Sequence, residues 1–104
     1  MTEDKTAGLT AHFMALAHYY PAAGNEARVL ELLVELTEAS RREAGNVSYD
    51  FYAPGSNAGE ILIVERYVDA AAFTVHRESE HFAAIGKAKI IPLLDNRVVE
   101  EFAI

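Results

Sequence analysis

The segment that most constrains the fold is residues 60–68 (EILIVERYV), which is typical of a β-strand that is largely apolar on both faces. Side chains along a strand point alternately to the two faces of its sheet. One face carries Ile61, Ile63, Glu65 and Tyr67, and the other carries Leu62, Val64, Arg66 and Val68. A strand with two apolar faces is normally covered on both, whereas a chain of 104 residues builds one core. We therefore expect a second protein chain to supply one of the covers.

The first half of the chain predicts a strand and a helix. Residues 9–20 predict a buried strand that ends at Pro21. Residues 25–45 predict a helix, with Asn25 as its N-cap and Gly45 in the left-handed conformation after its end. The apolar side chains of this helix recur at helical spacing and form one stripe: Val29, Leu32, Leu33, Leu36 and Ala39.

The second half predicts a hairpin, two short helices and a last strand. Residues 47–53 pair with the doubly apolar strand across a loop of turn residues. Asp69 and Ser79 are suitable N-caps for the two helices. Residues 96–104 predict the closing strand.

This order of elements is the split βαβ arrangement of an α+β, ferredoxin-like fold with a four-stranded antiparallel sheet. Residues 1–8 predict a disordered tail, and residues 9–104 predict the folded domain. Two sheets packed face to face would cover the second apolar face, so we expect a homodimer.

Composition excludes several classes of function. The net charge of −7, from 16 acidic and 9 basic residues, argues against binding to nucleic acid or to an anionic membrane surface. No apolar run is long enough to span a membrane, and the polar start is unlike a signal peptide. The absence of cysteine excludes disulfides, thiolate metal sites and a cysteine nucleophile. We expect a cytoplasmic protein.

Two histidines lie in the short segment VHRESEHF, residues 75–82. His76 ends one predicted helix and His81 lies in the first turn of the next. Their separation differs from the i, i+4 spacing of two metal ligands on a helix, so we predict no metal site. The helix dipole favours imidazolium at His76 and neutral imidazole at His81, which favours His81 as a base and His76 as a proton donor or anion contact. Alternatively, His76 only caps a helix and His81 only packs the joint.

Glu65 is the third candidate catalytic residue, because it shares a face with apolar side chains. Burial there would raise its pKa and suit it to acid–base work or to orienting a histidine; the alternative is an ion pair with an arginine such as Arg97. The predicted lining of a substrate pocket is otherwise aromatic or aliphatic: Phe13, Tyr49, Ile63, Tyr67, Phe73 and Phe82. His12 and His18 fall on the opposite face of the first strand, which we expect at the dimer interface.

Three segments resemble the antibiotic biosynthesis monooxygenase (ABM) family: REAGNVSYDFY, ILIVERYVDAAAFTVH and SEHFAAI. The resemblance covers residues 9–104. Ala44 replaces a proline in the family's Glu-Pro-Gly turn, and Tyr67 replaces its usual tryptophan. The resemblance implies a dimeric α+β barrel with a cavity between helices and sheet. It also implies oxygenation of quinols, anthrones and related polycyclic aromatics, often without metal or flavin.

Haem-degrading enzymes of the same superfamily use an asparagine, a tryptophan and a histidine at positions that align here with Ala17, Tyr67 and Gly86. No haem ligand stands at the expected place, so the resemblance argues against haem degradation.

The sequence therefore predicts a cofactor-independent monooxygenase that acts on a small hydrophobic aromatic or quinol-type substrate. One alternative is an isomerase of a small phosphorylated hydroxyketone, because the related isomerase has a similar pair of histidines. The phosphate group of such a substrate would need a cationic side chain to bind it, and Arg77 is the nearby candidate. The other alternative is a non-catalytic, ligand-binding dimer.

Overall fold

A computed structural model describes residues 8–53 and 59–104 of the chain. The elements are β1 (Phe13–Pro21), α1 (Glu26–Arg41), β2 (Asn46–Tyr52), β3 (Ile61–Tyr67), α2 (Ala70–Arg77), a π-helix (Phe82–Ile90), a 3₁₀ turn (Ile91–Leu93) and β4 (Leu94–Ala103). The strands form one antiparallel sheet in the order β2-β3-β1-β4. This topology confirms the predicted α+β, ferredoxin-like fold. Most of the predicted tail and of the hairpin loop, residues 1–7 and 54–58, lie outside the described residues.

The helices cover one face of the sheet, and the core lies between them. Alternate residues of β1, from Phe13 to Tyr19, are buried on this face. The predicted stripe of α1 packs against it, with Val29, Leu32, Leu33 and Leu36 all buried. Ile61, Ile63, Glu65 and Tyr67 of β3 point to the same side.

The opposite face of the sheet, called the outer face below, bears apolar side chains that no helix within residues 8–53 and 59–104 covers. Leu16, Leu62 and Val64 are half-buried there, and Val98 and Phe102 are 43% and 38% exposed. His18 also lies on this face, as predicted from its strand position. The dimer that would cover the outer face stays a prediction.

Two local features differ from the prediction, and both have a tertiary cause. Gly45 is not left-handed; it lies close to α2, where an added Cβ would come 2.5 Å from the Cβ of Ala72. Asn25 is the N-cap residue of α1, but its side chain makes no cap bond. Its Nδ2 instead donates to the carbonyl oxygen of Leu93 at 3.2 Å, which ties the start of α1 to the end of the 3₁₀ turn before β4.

The joint between the last helices forms as the caps predict. Asp69 accepts a hydrogen bond from the backbone nitrogen of Ala72 at 2.8 Å. The Ser79 hydroxyl donates to the carbonyl oxygen of His76 at 2.7 Å and accepts from the backbone nitrogen of Phe82 at 3.1 Å. The joint is therefore held by hydrogen bonds on both sides of Ser79.

The second of these helices is a π-helix, which the sequence did not predict. A Cβ on Gly86 would lie 2.8 Å from the ring of Phe82, so the glycine makes room for that ring to pack inward. π-Helical turns occur frequently at functional sites. None of the described helices is both long and apolar enough to cross a membrane.

Candidate active site

The imidazole of His76 lies at the centre of the candidate site, between α2 and the sheet. It is 2% exposed. Four aromatic rings surround it at centroid distances of 5.3 to 6.2 Å: Tyr49, Tyr67, Phe73 and Phe82. Burial of this kind removes water from the ring, so the neighbouring carboxylates determine its chemistry.

Each nitrogen of His76 faces a carboxyl group. Nδ1 lies 2.8 Å from Oε2 of Glu43, and Nε2 lies 3.6 Å from Oε1 of Glu65. An ionised carboxylate only accepts hydrogen bonds, so Nδ1 carries a proton and donates it to Glu43. In the neutral ring the lone pair is then on Nε2, which points towards Glu65.

His81 joins the same network from the other helix. Its Nε2 lies 2.5 Å from Oε2 of Glu43, the oxygen that also accepts from His76. The side chain of His81 is 24% exposed, so it is the solvent side of the network. The two histidines are therefore linked through one carboxylate, a partner that the sequence did not predict.

Glu65 is 5% exposed and has the environment that its strand position predicted. Burial raises the pKa of the Glu65 carboxyl, while the charge of His76 and a hydrogen bond from Tyr67 act in the opposite direction. The Tyr67 hydroxyl donates to Oε1 at 2.6 Å. Tyr67 and His76, rather than the Arg97 that the sequence allowed as an alternative, are the close partners of this carboxyl.

The tyrosines around the site remain neutral donors. Burial and the charge of Glu65 raise the pKa of Tyr67 and of Tyr49 far above the ordinary value. Burial also raises the pKa of Tyr19. None of these hydroxyls is suited to act as a phenolate base near neutral pH.

Glu65 and His76 line a small space, called the inner cavity below, together with Phe73 and Phe82. Its volume is about 10 Å³, room for about one water molecule. A larger cleft of about 290 Å³, called the outer cleft below, lies next to it and shares Phe82, Arg77 and Arg97 with it. The outer cleft is close to the lower size limit of small-molecule sites.

Only part of the predicted pocket lining reaches these spaces. Phe73 and Phe82 line the inner cavity, whereas the other four predicted residues pack in the core behind it: Phe13, Tyr49, Ile63 and Tyr67. Phe13, for example, stacks on Phe73 with a centroid distance of 5.1 Å. Those four side chains therefore support the wall and do not form it.

Three residues that line or hold the site were not among the predicted catalytic or pocket-lining residues, although Arg97 was named as an alternative ion-pair partner of Glu65. Tyr19 lines the inner cavity, and its alternation with Ala15 and Ala17 could have placed it on that face. Arg97 also lines the cavity, from β4. Glu43 belongs to the Arg-Glu-Ala-Gly segment that resembles the family's turn, and that resemblance was the available signal for it.

Glu43, His76 and His81 also have the residue types that bind a divalent metal. Their ligand atoms lie within 4.8 Å of one another, and two histidines with one carboxylate suit iron(II) or zinc. The sequence spacing was thus a poor argument against a metal, because the two histidines come from different helices. A metal here would have to displace the protons that now hydrogen bond to Glu43.

Comparison with known proteins identifies relatives across most of the chain. The family model described as antibiotic biosynthesis monooxygenase matches residues 12–88. Rv0793 from Mycobacterium tuberculosis, whose name proposes a monooxygenase, is 30% identical over 74 residues, which cover 71% of this chain and 72% of that protein.

Solved structures agree with the fold. The structure of Rv0793 matches with a TM-score of 0.82 at 28% identity and covers 88% of this chain and 93% of its own. SO0527 from Shewanella oneidensis has the same fold, with a TM-score of 0.84 at 22% identity, covering 90% and 91% of the two chains. The match to the family model, over more than half of the chain, shows that this protein belongs to the antibiotic biosynthesis monooxygenase family.

Proposed function

We propose that the protein is a cofactor-independent monooxygenase that acts on a small aromatic or quinol-type substrate. The observation that carries the proposal is the pairing of His76 Nε2 with the Glu65 carboxyl in the wall of the inner cavity. Such a pair takes up a proton from a substrate hydroxyl or an activated methylene group. The family membership supports oxygenation as the reaction that follows.

Glu43 has a positioning role in this mechanism. By accepting from Nδ1 of His76 it holds the tautomer in which Nε2 is the proton acceptor, and it stabilises the imidazolium that forms. Glu65 shares the proton from the other side, which the raised pKa of its carboxyl favours. The surrounding rings exclude water and leave the substrate anion weakly solvated.

The reaction balances without an external reductant. With an anthrone as substrate, the base removes a methylene proton and the resulting anion transfers an electron to dioxygen. Recombination forms a carbon–oxygen bond, and loss of water leaves a carbonyl group. One oxygen atom enters the quinone, the other leaves as water, and the substrate supplies all the electrons.

Oxygen uptake with a panel of anthrones and quinols, on protein treated with a chelator and analysed for metal, tests this proposal. We expect stoichiometric oxygen consumption and a quinone chromophore. E43Q should lower turnover more than the control E35Q, because Glu35 is exposed on α1. Turnover that requires iron or zinc would overturn the cofactor-independent mechanism. Ligand-induced thermal stabilisation without any turnover would instead support the binding-dimer alternative.

One observation favours a second candidate, the isomerase of a small phosphorylated hydroxyketone. Arg77, Lys87 and Arg97 line the outer cleft, and a phosphate group needs such cations. Enolisation makes the same demand on the base as oxygenation. Exchange of a substrate proton with deuterium in the absence of dioxygen, followed by isomerisation, would support this candidate over the first.

A further inference from the structure

The outer cleft concentrates positive charge on a protein that is acidic overall. Three of its lining residues are Arg77, Lys87 and Arg97, and one is Glu78. The whole chain has a net charge of −7 with 9 lysines and arginines, so a third of its cations converge on this cleft. A local field of this sign attracts an anion that the rest of the surface repels.

The three cations are held over aromatic rings. The Arg77 guanidinium lies 5.7 Å from the centroid of Phe73. The Lys87 ammonium lies 5.9 Å from the centroid of Phe82, and the Arg97 guanidinium lies 5.9 Å from that of Tyr19. Contacts of this kind orient a cation and leave its charge available to a ligand.

No carboxylate of the described part of the chain, residues 8–53 and 59–104, lies within 4.0 Å of these three cations as an ion-pair partner. Arg28 and Arg41, by contrast, pair with Glu31 and Asp50. The cleft cations thus differ from the arginines of α1, whose charge is already compensated.

The cleft also opens towards the reactive groups. All three rings under the cations line the inner cavity, where Glu65 and His76 lie. A molecule with an acid group in the cleft would therefore direct its ring to the proton acceptor.

We propose that the outer cleft is an anion-binding subsite that holds a carboxylate or phosphate substituent of the substrate. The inference rests on the proposed function in one respect: the aromatic ring of the same molecule lies in the outer cleft with its reactive edge towards the inner cavity, which itself has room for only about one water molecule. This subsite narrows the proposed substrates from small aromatic or quinol-type molecules in general to those that carry a carboxylate or phosphate group. The acid group fixes the orientation of the ring, because two guanidinium groups hold it with directional hydrogen bonds.

Binding of a matched pair of product analogues tests the subsite without any turnover. Anthraquinone-2-carboxylate should bind at least about 10-fold more tightly than anthraquinone-2-carboxamide in calorimetry, and added salt should reduce the difference. R77Q and R97Q should each remove most of this preference. K89Q is the control, because Lys89 is exposed on the same helix as Lys87 but does not line the cleft.

A second pair, phenyl phosphate against phenol, distinguishes the phosphate from the carboxylate as the preferred acid. Three outcomes would overturn the subsite. The first is equal affinity within both pairs of compounds, and the second is no binding of any of the four compounds. The third is a preference for the acid that survives in R77Q and R97Q, when both variants have wild-type melting temperatures. Oxygen uptake is scored separately. Preferential binding of the acids without turnover would refute the oxygenase function and support the subsite. Fast turnover of neutral quinols without preferential binding of the acids would support the oxygenase function and refute the subsite.

Discussion

Two histidines of this protein lie between pairs of glutamates, and they differ in what surrounds them. On the outer face, His18 places Nδ1 2.7 Å from Glu60 and Nε2 2.6 Å from Glu100. In the inner cavity, His76 places Nδ1 2.8 Å from Glu43, but its Nε2 is 3.6 Å from Glu65.

The two histidines have similar partners but differ in burial and in the pKa of the neighbouring groups, which shows how the surroundings determine what such residues can do. His18 is half-buried, and its hydrogen bonds to both glutamates raise the pKa of its imidazole, which favours the charged form as a clamp between them. His76 is buried, and its second carboxyl has a pKa raised by burial. The longer contact leaves Nε2 of His76 beyond hydrogen-bond distance of Glu65, with a cavity beside both groups.

The largest effect should come from replacing each histidine by glutamine. H76Q removes the titrating nitrogen, so anthrone turnover should fall by about 10²- to 10⁴-fold. H18Q alters only the outer face and should leave turnover near the wild-type rate. Oxygen uptake measures the turnover of both variants. Equal losses of turnover in H76Q and H18Q would contradict a special role for His76.

E65Q sharpens the comparison at the second carboxyl and should lower turnover by about 10²-fold. Its effect on stability has a definite sign. An acid whose folded pKa lies above the ordinary 4.5 costs stability as the pH rises above that value. The melting temperature of E65Q relative to wild type should therefore increase from pH 4 to pH 7. A relative melting temperature that falls over this range would show that the carboxylate, not the acid, is the favoured form in the fold.

G45A tests the geometry that keeps Glu43 and His76 together. The added Cβ would meet Ala72 of α2 at 2.5 Å, and overpacking of this kind costs about 1–3 kcal/mol. Denaturant unfolding and oxygen uptake should both show a loss, because the turn that carries Glu43 would move from α2. The double variant G45A/A72G restores the space and should recover most of both quantities; a double variant no better than G45A would contradict this explanation.

The smallest effect concerns the pH dependence of His18. A base whose folded pKa lies above 6.5 stabilises the fold fully below that value, and this contribution is lost as the pH rises through the folded pKa. The melting temperature of wild type should decline over that range more than the melting temperature of H18Q. The pair is partly exposed, so solvent screening keeps the difference small. If the melting temperatures of wild type and H18Q depend on pH in the same way, the hydrogen bonds of His18 to the two glutamates do not stabilise the fold.

Much of the fold could be predicted from the sequence because its signals are local. Alternation in β3 and helical spacing in α1 each specify which side chains point to the core. Gly45 was interpreted wrongly because a local rule for helix ends was applied where contact with a distant helix is the cause. The π-helix was missed since its buried residues, Phe82, Gly86 and Ile90, recur every four positions as they would in an α-helix.

The candidate site could be predicted only in part. Glu65 was found because an acid on an apolar strand face is conspicuous. Glu43 was missed because it lies 33 residues from His76 along the chain, and only the packing of α2 against the turn after α1 brings them together. The cations of the outer cleft come from α2, the π-helix and β4, so no sequence spacing relates them.

His76 and His81 contact the same oxygen of Glu43, and this arrangement bears on how protons could leave the site. His81 and Glu43 line a groove with Arg42 and Glu80 that shares no lining residue with the outer cleft, where we propose that the acid group of the substrate binds. In the proposed mechanism, protons and substrate would thus have different routes. A proton taken from a bound molecule can pass to bulk water behind the imidazole while that molecule still blocks the entrance, so each turnover can return the base to its starting state before the product departs.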